Sequence, residues 1–199
     1  MTLLSYLMPH GSLTQTSAGA TAVRRAAVKT ILSGGYLDII KGNEGEITTV
    51  HGATDTQQKG VDSSSTLSPQ QKAAVVTELA RRERNVVLMT GKTDYLSDGS
   101  RTFAVDNGHE YLGLITGSGC VLGTTISAMA TAHPGDKLAA VLAGLLHFEI
   151  AAEMAAVRQD VQGPGTFVPA FIDELYRVRR ATVDGDLRWL SIAKVKSVP

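Results

Sequence analysis

Short apolar runs alternate with segments of helical periodicity along most of this chain. That alternation argues for an α/β fold, a mostly parallel sheet flanked by helices. From Ala18 to Leu32, the residues Ala22, Val23, Ala26, Ala27, Thr30 and Ile31 recur at helical spacing, with Arg24, Arg25 and Lys29 on the other side. Gly34-Gly35 ends that helix. Tyr36 to Ile40 then reads as a strand, and Lys41-Gly42-Asn43-Glu44-Gly45-Glu46 as the polar loop that follows it. Gly52 to Ser65 has the composition of a surface connection, and Ser68-Pro69 opens a helix running to about Arg84. Asn85 to Thr90 is a buried strand candidate ending at Gly91, and Thr102 to Val105 is another after the Asp98-Gly99 turn. Thr116 to Ala132 starts with a glycine turn and continues as a small-residue helix. Asp136 caps a long Ala-rich helix to about Arg158 that must be buried on most sides. Gly163-Pro164-Gly165 breaks the chain before an amphipathic helix from Val168 to Arg180, and Leu187 to Val195 alternates as a last strand.

A length of 199 residues leaves room for one full domain, read here as a single folding unit. Nineteen Lys plus Arg cancel nineteen Asp plus Glu, which removes the electrostatic footprint of a nucleic-acid binder. One cysteine cannot form an internal disulfide, so a reducing, cytoplasmic setting is the expectation. Met1 to Met8 lacks the basic leading segment and cleavage site of a secretory signal. The most apolar stretch is broken by His147, Glu149 and Glu153, short of the about 18 to 20 apolar residues that cross a bilayer, so no membrane partner is expected.

The strongest local signal for chemistry is Ile115-Thr116-Gly117-Ser118-Gly119-Cys120-Val121-Leu122, a strand end turning through two glycines into a helix N-terminus. Backbone N–H groups and a positive dipole end there suit a phosphate or a developing anion, while the same glycines also serve a turn needed only for packing. The spacing is neither the dinucleotide fingerprint nor a Walker loop. Cys120, on the first helical turn, stands where a thiolate is favoured; a lone cysteine is also commonly a small buried hydrophobe. Lys41, Asn43 and Glu46 crowd the end of a strand, offering a cation for phosphate and a carboxylate for a metal, or else a solvated loop. Thr90 ends another strand beside Gly91-Lys92-Thr93-Asp94. His147 and Glu153 do not share a helix face well, so a packed histidine is preferred to a metal ligand. His10, His51, His109 and His133 form no cluster.

Taken in order, Lys41-Gly42-Asn43-Glu44-Gly45-Glu46-Ile47, Lys59-Gly60-Val61-Asp62-Ser63, Val87-Leu88-Met89-Thr90-Gly91 with Asp94-Tyr95, Thr116-Gly117-Ser118-Gly119-Cys120 and Gly163-Pro164-Gly165-Thr166-Phe167 resemble the hydroxyethylthiazole kinase family. The resemblance is strongest to the kinase half of the bifunctional fungal thiamine-phosphate synthase and hydroxyethylthiazole kinase. It implies a ribokinase-like α/β fold and phosphorylation of the hydroxyl of 4-methyl-5-(2-hydroxyethyl)thiazole by ATP with Mg2+, in thiamine biosynthesis and salvage. It also implies a homotrimer with the thiazole pocket between subunits. By the same resemblance, Cys120 is the catalytic position facing the substrate hydroxyl. The N–H groups of Gly117, Ser118, Gly119 and Cys120 form the anion hole, and Gly117 also contacts the thiazole. Lys41 and Thr90 are ATP contacts, Lys41 standing where many members have arginine, and Glu46 organises magnesium and phosphate. Residues 1–17 are expected to be unrelated to the family or disordered, residues 18–199 correspond to the C-terminal part of its domain, and the family's first strands and helices have no counterpart here. A truncated, inactive fragment that only binds ATP or oligomerises is the alternative expectation. Another ribokinase-like kinase is a further one, disfavoured because Cys120 stands where such enzymes more typically carry an acidic residue.

Overall fold

The computed structural model describes residues 5–6, 11–14, 22–52 and 67–199. In chain order its elements are β1 (Ser5–Tyr6), β2 (Gly11–Thr14), α1 (Ala22–Gly34), β3 (Leu37–Asn43), α2 (Glu44–His51), α3 (Pro69–Glu83), β4 (Val86–Thr90), β5 (Asp94–Ser97), β6 (Thr102–Val105), α4 (Tyr111–Leu114), α5 (Ser118–Ala132), α6 (Lys137–Ala156), α7 (Pro164–Val183), a 3-10 turn (Arg188–Ile192) and β7 (Val195–Val198). The expectation of one folding unit gives way to two compact ones, Met1–Ala104 with Lys196–Pro199, and Val105–Val195.

The first unit is built on the sheet, in which the strands lie in the order β1-β2-β3-β4-β5-β6-β7. β2 pairs parallel with β3, and β3 parallel with β4, whereas β1 with β2 and β4 with β5 are antiparallel. The sheet is therefore mixed rather than mostly parallel. The reason is local: only three residues separate β4 from β5, too few for the crossover that parallel neighbours need. Residues 5–6 and 11–14, inside the segment expected to lie outside the domain, contribute β1 and β2.

The core of this unit gathers Ile40, Ile47, Val76, Leu79, Val87 and Met89, with α2 and α3 laid against β3, β4 and β5. Helix α3 starts where the sequence places it: Ser68 Oγ accepts from Gln71 N at 3.3 Å, Gln71 Oε1 accepts from Ser68 N at 2.8 Å, and Pro69 fills the first turn. The turn from β5 to β6 is held by Asp98. Burial alone would raise the pKa of this carboxylate, but hydrogen bonds from Arg101 and Ser100 hold it down to about 2.

The second unit is helical. Helix α6 is its spine, packed by α5 and α7. It is long and apolar enough by length and composition to match a membrane span, yet most of it is buried inside the protein, as expected of a core helix. Gly144 brings α5 close, because a Cβ there would sit 3.2 Å from Ile126 Cα and 3.3 Å from its Cγ1. Asp136 caps α6 by accepting from Ala139 N at 3.0 Å. His147 is the packed histidine expected, buried, donating from Nε2 to the Leu175 carbonyl at 3.0 Å and lying edge-on to Trp189. Residues 188–192, expected within a last strand, form a 3-10 turn instead, and the strand begins only at Val195.

Candidate functional site

The carboxyl ends of β3 and β4 carry the first cluster of expected site residues. In the sequence reading, Lys41 to Glu46 is a loop. Instead β3 continues through Asn43, because Lys41, Gly42 and Asn43 stand in register with Leu88, Met89 and Thr90 of β4. A helix, α2, then starts at Glu44 without any loop. The local cause is a capping box: Asn43 Oδ1 accepts from Glu46 N at 2.9 Å, and Glu46 Oε2 accepts from Asn43 N at 2.8 Å. Asn at the cap and Glu three residues later was a readable signal for this helix.

Gly42 is what lets that box close. A Cβ at this position would lie 2.9 Å from Glu46 Cβ and 3.0 Å from Glu46 Oε2. Thr90 Oγ1 donates to the Gly42 carbonyl at 3.3 Å, tying the end of β4 to the same point. Lys41 and Glu46 are both buried. The structure thus brings Lys41, Glu46 and Thr90 to one edge of the sheet, where ligands sit in open α/β folds.

Beside them lies a cleft of about 380 Å³, lined by Glu44, Leu67, Pro69, Lys72, Thr90, Gly91, Lys92, Thr93 and Tyr95. Its size falls at the small end of the range for ligand pockets, roughly 300 to 1,000 Å³. Glu44 and Lys72 were not singled out from sequence. Glu44 sits in a polar run, and Lys72 in a helix that carries no site motif. Gly91 N donates to Asp94 Oδ1 at 2.8 Å, which shapes the turn along the cleft.

The second cluster belongs to the helical unit. Gly117 adopts φ +95, a left-handed conformation that glycine takes at no cost, and α5 begins at the next residue. The N–H groups of Cys120 and Val121 both donate to the Gly117 carbonyl at 3.0 Å. Of the four expected anion-hole donors, Cys120 N is therefore engaged within the turn itself. The first turn of α5 carries no acidic residue, and Cys120 is exposed with a free thiol. The Gly163 to Phe167 stretch opens α7: Thr166 Oγ1 accepts from Gln162 N at 2.7 Å, and Phe167 is fully buried against Phe171 and Tyr111. The Lys59 to Ser63 stretch lies outside the described residues.

The architecture is that of the ribokinase-like α/β proteins. A solved hydroxyethylthiazole kinase from Pyrococcus horikoshii superposes with a TM-score of 0.74 at 34% identity, covering 92% of this chain and 63% of that one. The Bacillus subtilis protein YxkO shares the fold alone, at TM-score 0.54 and 18% identity.

Residues 13–181 match the hydroxyethylthiazole kinase family, and the chain belongs to that family. The "Probable thiamine biosynthetic bifunctional enzyme" of Schizosaccharomyces pombe is 39% identical over 190 residues, which is 92% of this chain and 36% of the relative. The hydroxyethylthiazole kinase of Pyrococcus furiosus is 37% identical over 183 residues, 92% of this chain and 66% of the relative. The chain thus spans between about a third and two thirds of these relatives' length.

Proposed function

We infer that the chain is a kinase transferring the terminal phosphoryl group of ATP to the hydroxyl of 4-methyl-5-(2-hydroxyethyl)thiazole. The observation that carries this is the edge of β3 and β4, where Gly42 admits the Glu46 carboxylate and Thr90 closes on the Gly42 carbonyl, in a chain of this family. In the reaction, the bond from phosphorus to the bridging oxygen breaks and ADP leaves. A bond forms to the thiazole hydroxyl oxygen, and the hydroxyl proton departs. Such a transfer asks for positioning and charge stabilisation more than for covalent chemistry.

Lys41 supplies a cation for the phosphates, without the bidentate fork an arginine would bring. Thr90 offers a hydroxyl to the nucleotide. The glycine turn at Gly117 to Cys120 presents the start of α5 to the moving phosphoryl group, Gly117 lies against the thiazole, and Cys120 accepts or orients the hydroxyl proton. Magnesium fits Glu46, because this ion takes one or two carboxylates and otherwise substrate oxygens and water rather than a protein cage. When bound, it neutralises charge on the transferred group. A homotrimer and a cytoplasmic location belong to the same reading, and sedimentation of the purified chain measures the first.

The test is thiazole-dependent ATP consumption with magnesium, with phosphorylated thiazole identified as product. Turnover is expected in the wild type and is expected to fall at least a hundredfold in Glu46→Gln. An unaltered rate in Cys120→Ala removes that residue from the mechanism. Nucleotide binding without turnover favours a binding module instead.

A further inference from the structure

We propose that Lys72 is a phosphate-binding residue of the nucleotide cleft and that Glu44 is its positioning residue. This rests on the kinase reading above and adds two residues to it. Glu44 is the first residue of α2, directly after the Asn43 cap, and its side chain is only 8% exposed. One carboxylate oxygen, Oε1, accepts from Leu67 N at 3.1 Å, and the other, Oε2, meets Lys72 Nζ at 2.9 Å. Both contacts lie at the entry to α3, so one carboxylate at the start of α2 ties the chain just before that helix and holds its lysine.

A surface ion pair between two mobile side chains would carry little meaning. This pair differs in two respects. Both partners are largely shielded from solvent, and both line the cleft that holds Thr90. A lysine held in such a place has already lost most of its rotamer freedom, so it binds an anion at a smaller entropic cost than a free surface lysine would.

The rest of the lining agrees with the ligand. Lys92 brings a second cation, exposed on the β4 to β5 turn, against the single carboxylate of Glu44. Thr90 and Thr93 bring hydroxyls, while Leu67, Pro69 and Tyr95 bring apolar surface. Two cations, the threonine hydroxyls and an apolar wall at the carboxyl edge of parallel strands suit a phosphorylated, partly apolar ligand such as a nucleoside triphosphate. Glu44 does not cancel Lys72 in this role. It fixes where the ammonium points, at the rim of the cleft.

The experiment is titration calorimetry of the full chain with ATP and, separately, with adenosine. Lys72→Met is expected to weaken ATP about tenfold to a hundredfold, the worth of one charge-assisted contact, and to leave adenosine unchanged. Lys72→Arg is expected to retain most of the ATP affinity, because the charge remains. Glu44→Gln keeps an acceptor for Leu67 N and is expected to weaken ATP severalfold with adenosine again unchanged. Circular dichroism melts confirm that each variant is folded. Equal ATP affinity in wild type and folded Lys72→Met overturns this inference and leaves the kinase reading standing, as does an equal loss for ATP and adenosine. A wild type that binds no ATP overturns both.

Discussion

Two glycines of the candidate sites are needed for opposite reasons. Gly117 has open space where a Cβ would go but a left-handed backbone, whereas at Gly42 the limit is space, with Glu46 at 2.9 Å. Gly42→Ala is therefore expected to push the Glu46 carboxylate off Asn43 N and open the capping box. The expected cost is about 1 to 3 kcal/mol of stability, read from urea denaturation, together with a raised KM for ATP. Retention of both stability and KM would show that α2 starts without the box. The same residues explain what was legible. A cation, an amide and a carboxylate at a strand end were readable as site candidates, and Glu46 stayed among them. That its carboxylate folds back onto Asn43 N was not readable, because it depends on the clearance over Gly42.

Among the elements, α3 and α6 were legible because their signals are local: Ser68-Pro69 at one start, Asp136 at the other, and small apolar residues throughout α6. The closeness of α5 to α6 was not, because a glycine inside a helix says nothing about which neighbour needs its space. Gly144→Val is expected to force Ile126 away and destabilise the protein by about 1 to 3 kcal/mol, seen as a lower urea midpoint at unchanged slope. An unchanged midpoint would mean that α5 moves aside freely. In the sheet, β3 outruns its apolar run. Its last three residues are polar or glycine and are held in the strand by pairing with β4, not by their own preference.

At the scale of the whole chain, pH acts through His147. Burial depresses its pKa below 6.5, Arg179 pushes the same way, and the bond to the Leu175 carbonyl works against both. The unfolded chain therefore binds this proton more readily than the folded one. The stabilisation is fully present above about pH 6.5 and is lost as pH falls below it. Urea midpoints are expected to drop from about pH 7 to about pH 5.5, and to drop less in His147→Gln. Equal slopes in the two proteins would place the pH dependence elsewhere. The division into two compact units also belongs to this scale, and composition and length pointed to one. Both β6 and β7 cross the boundary between the units, so no linker composition marks it.

The sequence by itself determined the class of fold, most of the helices and the strands β4 and β6. Each of these rests on periodicity, a cap or a residue type, signals that act within a few positions of the chain. The tertiary structure decided that the sheet is mixed, that Lys41 to Asn43 is strand, and that Glu44 reaches Leu67 and Lys72. Those outcomes depend on pairing and packing between residues far apart in sequence. A contact of that kind is selected by the burial and hydrogen bonds of both partners together, and neither segment records it alone.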